Sequence, residues 1–197
     1  MKTKRLKQVH LKIRTVALFI TSINLLYGQQ TEAYFGQMKK SEYPIAPCPI
    51  DSTVAAYYLM DYGSSSFVPN ESAWKMNFER HFRIKIDGSP GVKERKITLW
   101  LHDKKEEGRE ELESFRSVIY NLEANKWKST RFNPSFKNGK LQQNVNEIEF
   151  INEDHSDPEW KRIEFFLPNV KVGSIIEVYY KIQSDLFFEC RRWQFVK

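Results

Sequence analysis

Two cysteines in 197 residues allow one disulfide at most. Glycine and proline are sparse at 8 each while aromatics reach 14%, which argues against broad disorder. No apolar run approaches the roughly 20 residues a bilayer span needs. There is no glycine-rich phosphate loop, no cofactor fingerprint, no internal repeat and no sustained amphipathic helix. Acidic residues are missing from the first thirty positions, which carry Lys2, Lys4, Arg5, Lys7, Lys12 and Arg14. The whole formal charge of +6 therefore lies there, and the remainder holds 25 residues of each sign. A nucleic-acid footprint needs basic charge spread over a folded surface, so that class is set aside.

What is present begins with that basic head and the short apolar stretch "VALFITSINLLYG", Val16 to Gly28. The pairing is that of a secretory signal, residues 1–28 with cleavage after Gly28, and an uncleaved anchor is the alternative. Export makes the location periplasmic, outer-membrane-associated or secreted, with no transmembrane span once the signal is cut. There a Cys48–Cys190 bridge could persist, although two separate buried thiols fit as well. Residues 29–50 carry Pro44, Pro47 and Pro49 without apolar period and read as an extended lead-in. "STVAAYYLMDY", after Asp51, suits either a capped helix or a strand.

From there short alternating segments dominate. In "AWKMNFERHFRIKI" the residues Trp74, Met76, Phe78, Phe82, Ile84 and Ile86 share one parity and His81 takes the other, wet one. Arg80 alone breaks the apolar face, so it belongs at a bulge, at the sheet margin or against a carboxylate. "DGSPG" and then "KITLWL" predict a hairpin, and "HDKKEEGREE" predicts a solvated charge cluster, a loop or one helical turn. "SFRSVIYNLEANKWKSTRF" gives two strands around Ala124 to Lys126, and Asn138-Gly139 marks a turn in a long surface connection. "EWKRIEFFL" and "IIEVYYKI" are strands with one wet face each, separated by a corner at Pro168 to Ser174. The expectation is an all-β chain, an antiparallel β-sandwich with long loops over residues 51–197.

No constellation carries chemistry on its own. Cys190 with His81 or His155 has the types of a thiol nucleophile and its base, without a local motif. "EDHSDPE", Glu153 to Glu159, offers cation ligands but lacks calcium-loop spacing. Glu111 with Glu113, or Glu147 with Glu149, would need to face each other across a cleft to serve as a glycosidase pair, and residues so spaced on one strand share its wet face. No catalytic, cofactor or metal residue is assigned, and no cofactor is expected. Trp100, Trp127, Trp160 and Trp193 with Tyr57 and Tyr58 suit either core packing or a platform for a glycan or peptide.

"FFLPNVKVGSIIEVYYKI" (Phe165 to Ile182), with "ERHFRIKI" upstream and "WQF" at Trp193 to Phe195, resembles domain of unknown function 3857. That module usually precedes a transglutaminase-like domain in exported bacterial proteins. The resemblance covers about Asp51 to Lys197 and implies a β-sandwich without assigned catalytic residues. It also implies a transglutaminase-like domain as partner, in cis or in trans. Relatives continue beyond "WQF" into that domain, whereas this sequence stops four residues after Trp193, so a truncated member is expected. The function expected is that of a non-catalytic exported module serving such a partner; the alternative is an independent glycan- or peptide-binding module.

Overall fold

A computed structural model describes residues 34–43, 47–69, 74–104, 106, 108–137, 140–142 and 151–186. The chain divides into two units, Met1–Tyr34 and Phe35–Lys197, and the β body belongs to the second. The expected signal segment, Cys190 and Trp193 lie outside the described residues. Among the described residues ten strands follow in order: β1 (Ala56–Pro69), β2 (Trp74–Ile86), β3 (Lys96–Lys104), β4 (Gly108–Glu123), β5 (Lys126–Phe132), β6 (Ser135–Lys137), β7 (Lys140–Gln142), β8 (Ile151–Asp154), β9 (Trp160–Phe166) and β10 (Ile175–Ser184). Pairing is antiparallel along the path β1-β2-β10-β4-β3-β9-β8, with β5 on the other side of β4 and β6-β7 a separate hairpin.

That path folds back on itself into two layers, as expected of a sandwich. The join between β3 and β4 is only two residue pairs, Asp103 with Arg109 and Lys104 with Gly108. Beyond it the rings of Phe115 on β4 and Phe165 on β9 stack at 3.8 Å, and Phe132 on β5 lies 6.5 Å from Phe165. Strands two or three places apart in one flat sheet could not touch in this way, given about 4.8 Å between neighbours. The five-stranded layer β1-β2-β10-β4-β5 therefore faces the three-stranded layer β3-β9-β8. The alternating residues meet between them: Phe78, Phe82 and Ile84 from β2, Leu99 and Leu101 from β3, Ile163 and Phe165 from β9, Ile176, Val178 and Ile182 from β10.

Several local expectations resolve into specific geometry. The segment after Asp51 is strand, and Asp51 instead closes a small turn through Thr53 N and Oγ1. Ala124 and Asn125 have φ of 47° and 60°, the left-handed pair of a tight hairpin between β4 and β5. β2 and β3 do not form the expected hairpin: a 3-10 helix, Ser89–Arg95, carries the chain across to the other layer, where β3 pairs with β9. Nor is "HDKKEEGREE" a solvated loop, since β3 runs to Lys104 and β4 starts at Gly108; Glu110 is buried and accepts the His102 N–H at 3.0 Å. Arg80 sits against a carboxylate, its Nε and Nη2 donating to the two oxygens of Asp61 at 2.9 and 2.7 Å.

The Pro168–Ser174 corner passes the chain from β9 in one layer to β10 in the other. Gly173, at φ 91°, donates its N–H to the Ile86 carbonyl at 2.8 Å, while Ile86 donates to Ser174 O at 2.9 Å. Asn169 takes φ 58°, and its carbonyl accepts from Asn121 Nδ2 at 3.0 Å. The corner is thus pinned to β2 and β4 by backbone it cannot satisfy within itself.

Candidate functional site

Strand period two puts Lys85, Arg83, His81 and Glu79 on the outer face of β2, opposite Ile175, Glu177, Tyr179 and Lys181 of β10, with Tyr120, Val118 and Arg116 beyond on β4. Sequence parity predicts a wet face. Near the corner end it is dry: Glu177 is 0% exposed, Arg83 5%, Lys85 6% and His81 8%. The cause is a third layer. Phe35–Tyr43, including a 3-10 turn at Lys40–Glu42, lies across the sheet as a strap, and Phe35, Met38 and Tyr43 pack with Leu59 and Trp127 onto buried Val118, Tyr120 and Ile175.

Beneath the strap Glu177 is a hub. Its carboxylate lies 2.7 Å from His81 Nε2 and 3.0 Å from Arg83 Nη2; it accepts the Tyr120 hydroxyl at 2.6 Å and the Gly36 N–H of the strap at 3.2 Å. Burial by itself would raise its pKa, but the hydrogen bonds from His81 and Tyr120, aided by the Arg83 charge, prevail and hold it below the usual carboxylate value. Tyr120 is pushed far up, first by burial and then by its bond to that carboxylate. Phe35 lies 5.7 Å from the His81 ring with Arg116 over its own ring at 4.9 Å, and Tyr43 stacks on Trp127 at 4.5 Å. Tyr179 donates to Glu79 at 2.9 Å; burial first, then that bond, raise its pKa to about 12.

A carboxylate against an imidazole resembles an acid–base pair, but a general base must reach a substrate proton. Here the carboxylate is occupied by three hydrogen-bond donors and the Arg83 ion pair, and the imidazole lies against Phe35. The arrangement ties together β2, β4, β10 and the strap.

A second candidate is the outer face of the three-stranded layer. Trp100 and Trp160 are 47% and 39% exposed there and sit on diagonal positions, Trp100 opposite Arg162 and Trp160 opposite His102. Arg162 lies over the Trp100 ring at 5.4 Å and pairs with Asp154 at 2.6 Å, while His102 meets the Trp160 ring edge-on at 5.3 Å. Of the other platform residues, Trp127 is half-buried under Tyr43, and Tyr58 packs edge-on against Phe82 at 5.9 Å. Tyr57 pairs with Lys85 at the far margin of the other layer, and the described members of the set do not assemble as one surface.

The remaining candidates separate. His155 is half-exposed, 4.0 Å from Asp103 and 3.9 Å from Glu153. In "EDHSDPE", Asp154 and Asp157 accept backbone N–H groups of Ser156, Glu159 and Trp160, the work of a structured turn. Among the described residues no three His, Cys, Asp or Glu side chains are placed to hold a metal ion, and no helix is long and apolar enough to cross a membrane. Glu111 faces Gln183 on the outer side of β4, and Glu113 falls at a register shift in the same strand. Glu147, Glu149 and Cys190 lie outside the described residues, and Cys48 is a half-buried free thiol.

The Glu177 hub and its strap escaped sequence reading. The available signal was a lone carboxylate inside "SIIEVYY", with Phe35 and Tyr43 in an otherwise polar lead-in.

No family model matches the chain, and no curated protein matches it. A solved crystal structure of a putative protease from Parabacteroides distasonis aligns with 66% of this chain and 23% of its own, at 9% identity and a TM-score of 0.41. The overlap spans less than a quarter of that protein, and likeness at this level carries no argument about fold or activity.

Proposed function

We propose that this chain is a non-catalytic exported β-sandwich module that works by binding and serves a transglutaminase-like partner domain. The observation that supports non-catalytic work is the Glu177 hub: a buried carboxylate–imidazole pair is spent on joining three strands to a strap. The partner class rests on the resemblance carried by the Pro168–Ser174 corner and by β2. Affinity capture of the tagged full chain from the envelope of its source, followed by mass spectrometry, tests it. A transglutaminase-like protein retained at stoichiometric level supports the reading, and turnover of peptide or amide substrates by the purified chain alone overturns it.

A second reading, a glycan- or peptide-binding module, is favoured by Trp100 and Trp160 on one exposed face. Aromatic rings with an open side stack on sugar or peptide planes. Titrating soluble oligosaccharides and peptides against intrinsic fluorescence, with Trp100→Ala as the comparison, decides it: a saturable change lost in the variant supports this reading, and no change with any ligand rejects it.

A further inference from the structure

We infer that the strap is an exchangeable occupant of a peptide site, and that the ligand is an extended segment of another protein bearing a carboxylate beside an aromatic residue. The inference deepens the binding-module reading and rests on it.

Arg83 carries the argument. Its side chain is 7% exposed and so almost fully withdrawn from water, yet the strap serves it poorly. β10 places the Glu177 carboxylate 3.0 Å from Nη2. From the strap, Nη1 reaches only Glu42 Oε2 and Nη2 only the Gln37 carbonyl, both at 3.4 Å, and Nε is buried without a partner. A guanidinium has five N–H donors, and a buried one left short of acceptors costs about 1–3 kcal/mol. Glu42 is a compromised partner, because the same Oε2 accepts the Lys39 N–H at 2.9 Å. A carboxylate free of that internal bond could approach Arg83 closely, and bidentate guanidinium–carboxylate pairs are among the strongest hydrogen-bonded contacts.

The frame around Arg83 is already that of a peptide seat. Trp127 takes the flat ring of Tyr43, His81 and Arg116 take Phe35, and the Glu177 carboxylate takes a backbone N–H from Gly36. One end reads an aromatic residue next to a carboxylate, and the other reads an aromatic residue followed by main chain at Gly36 and Gln37. The strap holds this seat through its covalent tether, which supplies a high effective concentration in place of good contacts. Replacement by a better ligand is then a competition in which the affinity seen from outside is reduced by the fraction of time the seat is free.

The test uses the full chain and a fluorescein-labelled nonapeptide with the strap's own sequence, Phe35 to Tyr43, in fluorescence anisotropy. Two loosened variants, Tyr43→Ala alone and Phe35→Ala with Tyr43→Ala, are carried forward if they retain a cooperative urea transition. The loosened chain should bind the nonapeptide about 100-fold more tightly than the unaltered chain. Glu→Gln at the peptide position matching Glu42, or Arg83→Lys in the loosened chain, should each weaken binding about tenfold. A folded Tyr43→Ala chain that does not bind the peptide overturns the inference, as does binding indifferent to the Glu→Gln change. Concentration-dependent self-association of the unaltered chain in light scattering also overturns it, since the seat would then be filled by a second copy. Capture of a transglutaminase-like protein by a chain that fails these tests would leave the broader reading standing and remove this one.

Discussion

Glu177→Gln isolates the hub with almost no change in volume. The wild-type carboxylate accepts from His81, Tyr120 and Gly36 and is ion-paired with Arg83. The amide keeps one acceptor oxygen and presents an NH2 group, a donor, where only donors converge. It also leaves Arg83 buried without its closest countercharge, at 3.0 Å. Breaking a buried ion pair by removing one partner costs about 3–5 kcal/mol, and the amide's remaining oxygen sets the expectation near ~3. With a urea slope of about 2 kcal/mol per M, the midpoint should fall by about 1.5 M with the slope unchanged. The pH dependence gives an independent check. A carboxyl held below its ordinary value in the folded state stabilises above that ordinary value, about 4.5. Its contribution is lost as pH falls from there through the folded-state pKa. Wild-type stability should therefore decline on acidification below about pH 4.5, and the Glu177→Gln profile should be flatter over that window. A midpoint within 0.3 M of wild type, roughly 0.6 kcal/mol at that slope, would show that the hub is solvated and the strap does not close over it.

His81→Ala should destabilise at least as much as Arg80→Ala in urea titrations: His81 faces the fully buried Glu177, whereas the Arg80–Asp61 pair keeps 22% and 13% side-chain exposure. The reverse order would place the strap elsewhere. Gly91→Ala should cost more than about 3 kcal/mol or abolish folding, because its Cβ would overlap the Ala55 backbone carbonyl, while Gly173→Ala should cost only about 1 kcal/mol for its φ of 91°, with open space around it. Thermal melts of both variants check this, and equal effects would mean the Ala55–Gly91 approach is wrong. At Asn169, φ 58°, replacement by Gly should be near neutral and replacement by Val should cost about 1–2 kcal/mol, read from the same melts.

The core face of the sandwich was legible because it obeys one local rule. Phe78, Phe82, Ile84 and Ile176, Val178, Ile182 alternate with polar residues, and one buried face is enough to impose that period. The corner was legible for a similar reason: Pro168 fixes φ and lacks an N–H, and Gly173 accepts the positive φ a reversal needs, whatever surrounds them. Which strands pair was not. "DGSPG" has the residues of a hairpin turn, but the 3-10 helix that follows sends β3 to the other layer, where Ile97, Leu99 and Leu101 meet Phe165 and Ile163 across from them. Strand partnership is decided by long-range burial that a turn motif does not encode.

The outer face of the five-stranded layer departs from its sequence pattern because charge there does not mean exposure. His81, Arg83, Lys85 and Glu177 look like a solvated stripe in sequence, and their pattern is the same whether water or a strap lies on top. Self-sufficiency separates the two cases. A solvated stripe has no need to balance itself, whereas a buried one must supply a partner for each charge, and here the imidazole, the guanidinium and a tyrosine hydroxyl converge on one carboxylate placed amid "SIIEVYY". Arg83 is where that closure stops short: β10 gives it one close oxygen, and the strap adds two distant ones. The strap's polar hold is weakest at this guanidinium, so any exchange of the covering segment should begin at Glu42, with Phe35 and Tyr43 released after it.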